Sequence, residues 1–300
     1  MHSITPEKAL QMGQSLRELH DATALFLNQS GNQATVSSQA SRELSTFVSP
    51  DLLITAYSQA SILIEATADQ LIAFTKTISE PAQTIAPWTC VRAQIESGAI
   101  ASWLLDPEID AKTRVQRSLA FRYEGLDQQI KFGRAIGDNS SVSKALKRID
   151  QVEQSALALG FSRVENRNKE RIGIGQQMPS VTAIVKATLD EEANYRLLSA
   201  AIHGHSWALQ HLSFRLVTNT NIRSAEKTTD APNALFLEKH LDPLAVAFLC
   251  LTAANVFAKT IWNKCRLFGW DLDDLGNILN TSFDSMGFTA GKRFWQTQQK

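Results

Sequence analysis

Cysteine is scarce. The chain has 3 in 300 residues, Cys90, Cys250 and Cys265, odd in number, far apart and each set in an apolar stretch. That excludes a disulfide scaffold and reads as reduced core thiols in a cytoplasmic protein. Glycine (14) and proline (8) are few, and with 44% hydrophobic and 20% charged residues this excludes fibrous, low-complexity and disordered chains. Neither sign of charge is in excess: 30 basic side chains balance 30 acidic ones, so no global field draws the protein onto nucleic acid or an acidic membrane. The opening MHSITPEKALQMGQSLREL lacks the basic and apolar segments of a secretion signal. The most apolar run, Leu244 to Ala258, is shorter than the ~20 residues of a membrane span and is followed by Lys259, so it reads as a buried core helix with no membrane association.

Alternating runs of strand length are nearly absent, and helical periodicity fills the chain. Pro6, Pro50, Pro87 and Pro243 each sit where a helix begins, because the fixed φ of proline suits the first turn and its missing N–H costs nothing there. The pattern predicts helices over about 6–28, 42–79, 87–105, 110–136, 140–159, 181–188, 190–214, 241–268 and 272–285. Residues 31–41 read as a polar linker, and 161–179 and 217–233 as loops. The expectation is an all-α single compact bundle of eight to nine helices, with an N-terminal helix and linker over 1–40 and the bundle domain over 41–300. Ile172-Gly173-Ile174-Gly175 lacks the third glycine and the Lys-Ser/Thr ending of a phosphate loop, so it reads as an ordinary loop.

Charge is unevenly placed. Residues 1–110 carry 5 basic and 12 acidic side chains, and residues 111–171 carry 13 and 7. Lys112, Arg114, Arg117, Arg122, Lys131, Arg134, Lys144, Lys147 and Arg148 form a basic region over 112–148. Two readings follow: a surface for the phosphates of RNA, or charges that face solvent or dock on the acidic N-terminal helices.

The segment EEANYRLLSAAIHGHSWALQHLSF departs from an ordinary surface helix. At 100° per residue, Glu192, Ser199, His203, Trp207 and Gln210 fall within about 60° of Arg196, opposite an apolar arc that includes Leu198, Ala201 and Leu212. An imidazole can move a proton from a ribose 2′-hydroxyl while an arginine fork stabilises the charge growing on a phosphate, which cuts RNA without metal. Zinc is the rival for the histidines, but His203 and His205 point about 160° apart, and no second ligand stands at i+4. No metal or cofactor is expected. On another helix Trp88, Arg92, Glu96 and Trp103 share a face, giving an Arg92–Glu96 pair at i, i+4 flanked by two indoles, and Arg196 pairs either with Glu192 or with a carboxylate on another helix, for which Glu96 fits. The same residues therefore also read as an internal ion network of a non-catalytic binding or scaffold protein.

Glu96-Ser97 with Trp103-Leu104-Leu105-Asp106-Pro107, then Tyr195-Arg196-Leu197-Leu198-Ser199 with His203-Gly204, resemble strings in a group of all-helical bacterial proteins, over roughly residues 85–270. The Arg196-to-His203 spacing also resembles the motif of the HEPN nucleotide-binding and ribonuclease superfamily, although Leu197 stands where its ribonucleases carry a polar residue. That resemblance implies a homodimer in which two motif helices form one cleft, and a metal-independent RNA-directed nuclease of toxin or defence type. It casts Arg196, His203 and Ser199 as catalytic, supported by Glu96, Arg92, Tyr195, Trp207 and Glu192. Inactive members of the superfamily serve as binding or dimerisation modules.

Overall fold

Short polar residues start the helices. Thr5 Oγ1, Ser38 Oγ, Asp110 Oδ1 and Asp138 Oδ1 each accept the backbone N–H three residues on, opening α1 (Pro6–Gln29), α2 (Gln39–Thr46), α5 (Ala111–Ala135) and α6 (Asn139–Ala158). Pro50, Pro87 and Pro243 stand in the first turns of α3 (Pro50–Thr77), α4 (Ala86–Leu104) and α10 (Pro243–Phe268). The remaining helices are α7 (Val181–Thr188), α8 (Glu192–Ile202), α9 (Ser206–Leu212) and α11 (Leu272–Ser285). The computed structural model describes residues 5–31, 33–79, 81–218, 235–288 and 295.

The chain is predominantly helical, as expected, but the described residues hold eleven helices rather than eight or nine, together with four short strands. The expected helix over 42–79 is two helices, because Phe47 is extended and Pro50 restarts the chain. The expected helix over 190–214 also breaks, at Gly204. The loop over 161–179 contains an antiparallel hairpin of β1 (Arg163–Glu165) and β2 (Arg171–Ile174). Gly173 is needed there because a Cβ would collide with the Gln176 backbone, so the two glycines serve a tight turn. A second hairpin pairs β3 (Phe214–Thr218) with β4 (Leu235–Lys239). The rest of the loop predicted over 217–233 lies outside the described residues.

α10 packs against α1, α2, α3, α4 and α11, with most of its side chains buried. Its 26 residues match the helix expected over 241–268 and extend beyond the apolar run Leu244 to Ala258. By length and composition alone it meets the criterion for crossing a membrane, with a mean hydropathy of 1.8 over a window that is 67% buried within the protein. Burial pushes the thiols of Cys250 and Cys265 up to about 12, as suits core cysteines. α4 lies against α3, α5, α7, α8 and α10. At Gly98 a Cβ would stand 2.7 Å from Val256 Cγ1 and 2.9 Å from Thr260 Oγ1, so this glycine lets the α4 and α10 backbones approach.

One charge of the predicted basic surface is inside the protein. The Arg114 side chain is 0% exposed and forks onto Glu43, with Nε 2.9 Å from Oε2 and Nη2 3.1 Å from Oε1. It also donates to the carbonyls of Leu104 at 2.6 Å and Asp106 at 3.1 Å. Glu43 is further held by the Tyr57 hydroxyl at 2.6 Å and the Gln39 amide at 2.9 Å. Burial pushes the Glu43 carboxyl up, but the Arg114 fork and the other donors outweigh it and hold the group below the usual carboxylate range. A carboxyl lowered in the folded state contributes stability that is present above its unfolded pKa and is lost as pH falls through the folded value. Glu43→Gln is expected to lower unfolding free energy at pH 7 by about 3 kcal/mol and to reduce the loss of stability below about pH 4.5, both read from urea melts across pH.

Candidate functional site

α4 and α8 cross with a pair of polar side chains on each, spaced one turn apart: Arg92 and Glu96 on α4, Tyr195 and Ser199 on α8. Arg92 Nε donates to Ser199 Oγ at 3.0 Å and Nη1 donates to Glu96 Oε2 at 3.1 Å. Nη2 stands 2.8 Å from Glu96 Oε1 and 3.4 Å from the Tyr195 hydroxyl, which itself donates to Glu96 Oε1 at 2.7 Å. The guanidinium carbon lies 5.4 Å from the centre of the Tyr195 ring, adding a cation–π contact. The ion pair is half-buried, with side-chain exposures of 23% for Arg92 and 30% for Glu96. Tyr195 is buried, and burial followed by the Glu96 carboxylate pushes its hydroxyl above the usual tyrosine range. It therefore stays a proton donor at neutral pH.

The remaining predicted site residues lie elsewhere. Arg196 turns outward, 65% exposed, and pairs with Glu192 at 2.9 Å rather than with Glu96. Lys186 joins that surface group 3.3 Å from Glu192, whose carboxyl is lowered by its bonds to Arg196 and Lys186. Trp88, one turn before Arg92, faces the interior. It is buried with its indole N–H on the Thr84 carbonyl at 2.6 Å and Ser213 Oγ at 2.8 Å. Trp103 is buried under Arg117, whose guanidinium carbon is 5.3 Å from its ring and whose Nη1 reaches Asp106 at 3.3 Å.

The stripe from Arg196 to Trp207 does not run along one helix. His203 is the C-cap of α8, and Gly204 follows with φ 75°. The N–H of His205 bonds the Ala200 carbonyl and that of Gly204 bonds Ala201, a Schellman ending that stops the helix and sends the chain into α9. His203, His205 and Trp207 are all exposed on this corner, while Leu198, Ala201, Ala208 and Leu212 are buried as their periodicity requires. The side chain of His211 lies outside the described residues. Among the described residues, no group of three His, Cys, Asp or Glu side chains is placed to hold a metal ion.

Sequence periodicity picks out Arg92–Glu96 and ranks Arg196 above Arg92, whereas Arg92 is the arginine that joins the two helices. The matched spacings of Arg92/Glu96 and Tyr195/Ser199 were the available signal. Comparison with protein-family models, curated proteins and solved structures finds no match to this chain.

Gly204 fixes where the exposed histidines sit, and a Cβ there would meet nothing within 4 Å. Gly204→Ala is therefore expected to cost about 1 kcal/mol, from backbone strain alone and with no steric clash, as measured by denaturant unfolding.

Proposed function

We propose that the protein is a non-catalytic helical binding or scaffold protein in which Arg92, Glu96, Tyr195 and Ser199 clamp α8 onto α4. The observation that carries this reading is the mutual satisfaction of the four side chains. Every nitrogen of the Arg92 guanidinium has a partner, and Glu96 neutralises it. An incoming phosphate would have to displace Glu96 and leave a half-buried carboxylate without its counter-ion. The likeness to the HEPN superfamily supports the same reading, since Leu197 stands where its ribonucleases carry a polar residue. The three unpaired thiols fit a reducing cytoplasm.

A second reading, a HEPN-like metal-independent ribonuclease, is favoured by one observation. Arg196 and His203 are both exposed on α8, so a homodimer pairing two copies of this helix would gather them in one cleft, with the 53% exposed Trp207 available to stack on a base. The experiment is incubation of wild type and His203→Ala with mixed RNA in EDTA. Intact RNA in both samples is the expected result. Fragments bearing 2′,3′-cyclic phosphate ends from wild type and not from His203→Ala would overturn the binding reading and establish the nuclease.

A further inference from the structure

An open groove of about 460 Å³ lies among α3, α5 and α6, and all the charge in its lining is positive. Arg122 from α5 and Arg148 from α6 meet there with the carboxamides of Gln59 and Gln129, while Phe121 and Leu126 supply apolar wall. Helical spacing explains why no carboxylate enters. On α5, Gln129 falls within about 20° of Arg122, whereas Glu124 and Asp127 lie roughly 140–160° away. On that far side Lys131 holds Asp127 at 2.6 Å, and Glu124 accepts from Gln128 at 2.8 Å. On α6, Asp150 is turned from Arg148 by about 160° and bridges Arg171 at 3.2 Å.

Seven arginines of the described residues each hold a carboxylate. Arg17 and Arg42 bond to hydroxyl and carbonyl oxygens, whereas Arg122 and Arg148, like Arg134 and Arg167 outside the groove, have no side-chain ion-pair or hydrogen-bond partner among the described residues, and Arg122 and Arg148 are both exposed into the groove. The Gln59 carbonyl oxygen accepts from Ser118 at 2.7 Å, so the amide nitrogen is the end left to meet a ligand acceptor. Gly125 also lines the groove, and a Cβ there would meet nothing within 4 Å. Packing therefore does not require this residue, a poor one in mid-helix, and its effect is to keep the groove wall clear.

Two unneutralised guanidinium forks beside two carboxamides form a donor set matched to phosphate oxygens and adjoining hydrogen-bonding groups. The volume lies in the range of roughly 300–1,000 Å³ that small ligands occupy. We propose that this groove recognises the phosphate of a nucleotide-sized ligand, independently of the α4–α8 clamp and whichever reading of that clamp holds.

Calorimetric titration of the full chain with AMP, adenosine, inorganic phosphate and a six-nucleotide RNA tests the proposal. AMP is expected to bind more tightly than inorganic phosphate, with an affinity that falls as salt rises, and adenosine is expected not to bind. Arg122→Gln and Arg148→Gln are each expected to weaken AMP at least tenfold without moving the melting temperature, and Gly125→Leu to block it. Tighter binding of the RNA with the same sensitivity to both arginines would identify a polynucleotide as the source of the phosphate. Inorganic phosphate binding as tightly as AMP would overturn the nucleotide-sized ligand. Absence of binding by all three phosphates at millimolar concentration, or binding that both arginine substitutions leave unchanged, would overturn the site itself.

Discussion

The structure depends on the burial of α4. Helices α3, α5, α7, α8 and α10 all lie against it, and at Gly98 its backbone comes close enough to α10 that a single added carbon would overlap Val256 and Thr260. A helix surrounded in this way must satisfy its polar side chains within the protein. Gln94 Nε2 donates to the Ala253 carbonyl of α10 at 3.1 Å, although its buried Oε1 has no hydrogen-bond partner among the described residues, and Ser97 meets Thr67 of α3 at 2.9 Å. Arg92 and Glu96, at the half-open edge, are completed by α8. The candidate site is thus a consequence of packing: α8 supplies the groups that a charged pair on a buried helix needs.

Two ion pairs show how burial changes what a charge does. Arg114 and Glu43 lose nearly all contact with water, so three carbonyls, a phenol and a carboxamide complete their hydrogen bonding and tie α2, α3 and α5 to the last residue of α4 and the segment after it. Such a pair is costly to break and adds little beyond what an apolar contact of the same shape would give. Arg92 and Glu96 retain partial exposure, and their partners are side chains of one helix. Arg122 and Arg148 complete the series, exposed and with no protein counter-charge among the described residues, which is the condition under which arginine is free to meet an external anion.

Much of the architecture was legible because its signals are local. Proline at the first turn acts within four residues, and the structure starts helices at Pro6, Pro50 and Pro243 and one residue before Pro87. The apolar run before Lys259 identified α10 as core. What is not legible in the sequence depends on tertiary context or on very short elements. Strands of three to five residues carry too little alternation to stand out. Gly204 sits inside an unbroken apolar period, and only its positive φ reveals the end of α8. A helical wheel places Arg92 and Arg196 on polar faces without saying which face meets another helix, so it leaves Arg196 open to Glu192 or to Glu96, and the fold decides for Glu192. Arg114 looks like its basic neighbours until Glu43, 71 residues away, is brought beside it.

The central claim is that the α4–α8 network is an interhelical clamp. The measurement that bears on it most directly is a double-mutant cycle on Glu96→Gln and Tyr195→Phe by denaturant unfolding, since their contact at 2.7 Å is the shortest hydrogen bond across the interface. A coupling free energy of about 1 kcal/mol or more is the result expected of a clamp. Additive effects within about 0.3 kcal/mol would contradict it, because side chains that do not stabilise each other across α4 and α8 cannot be what holds the two helices together.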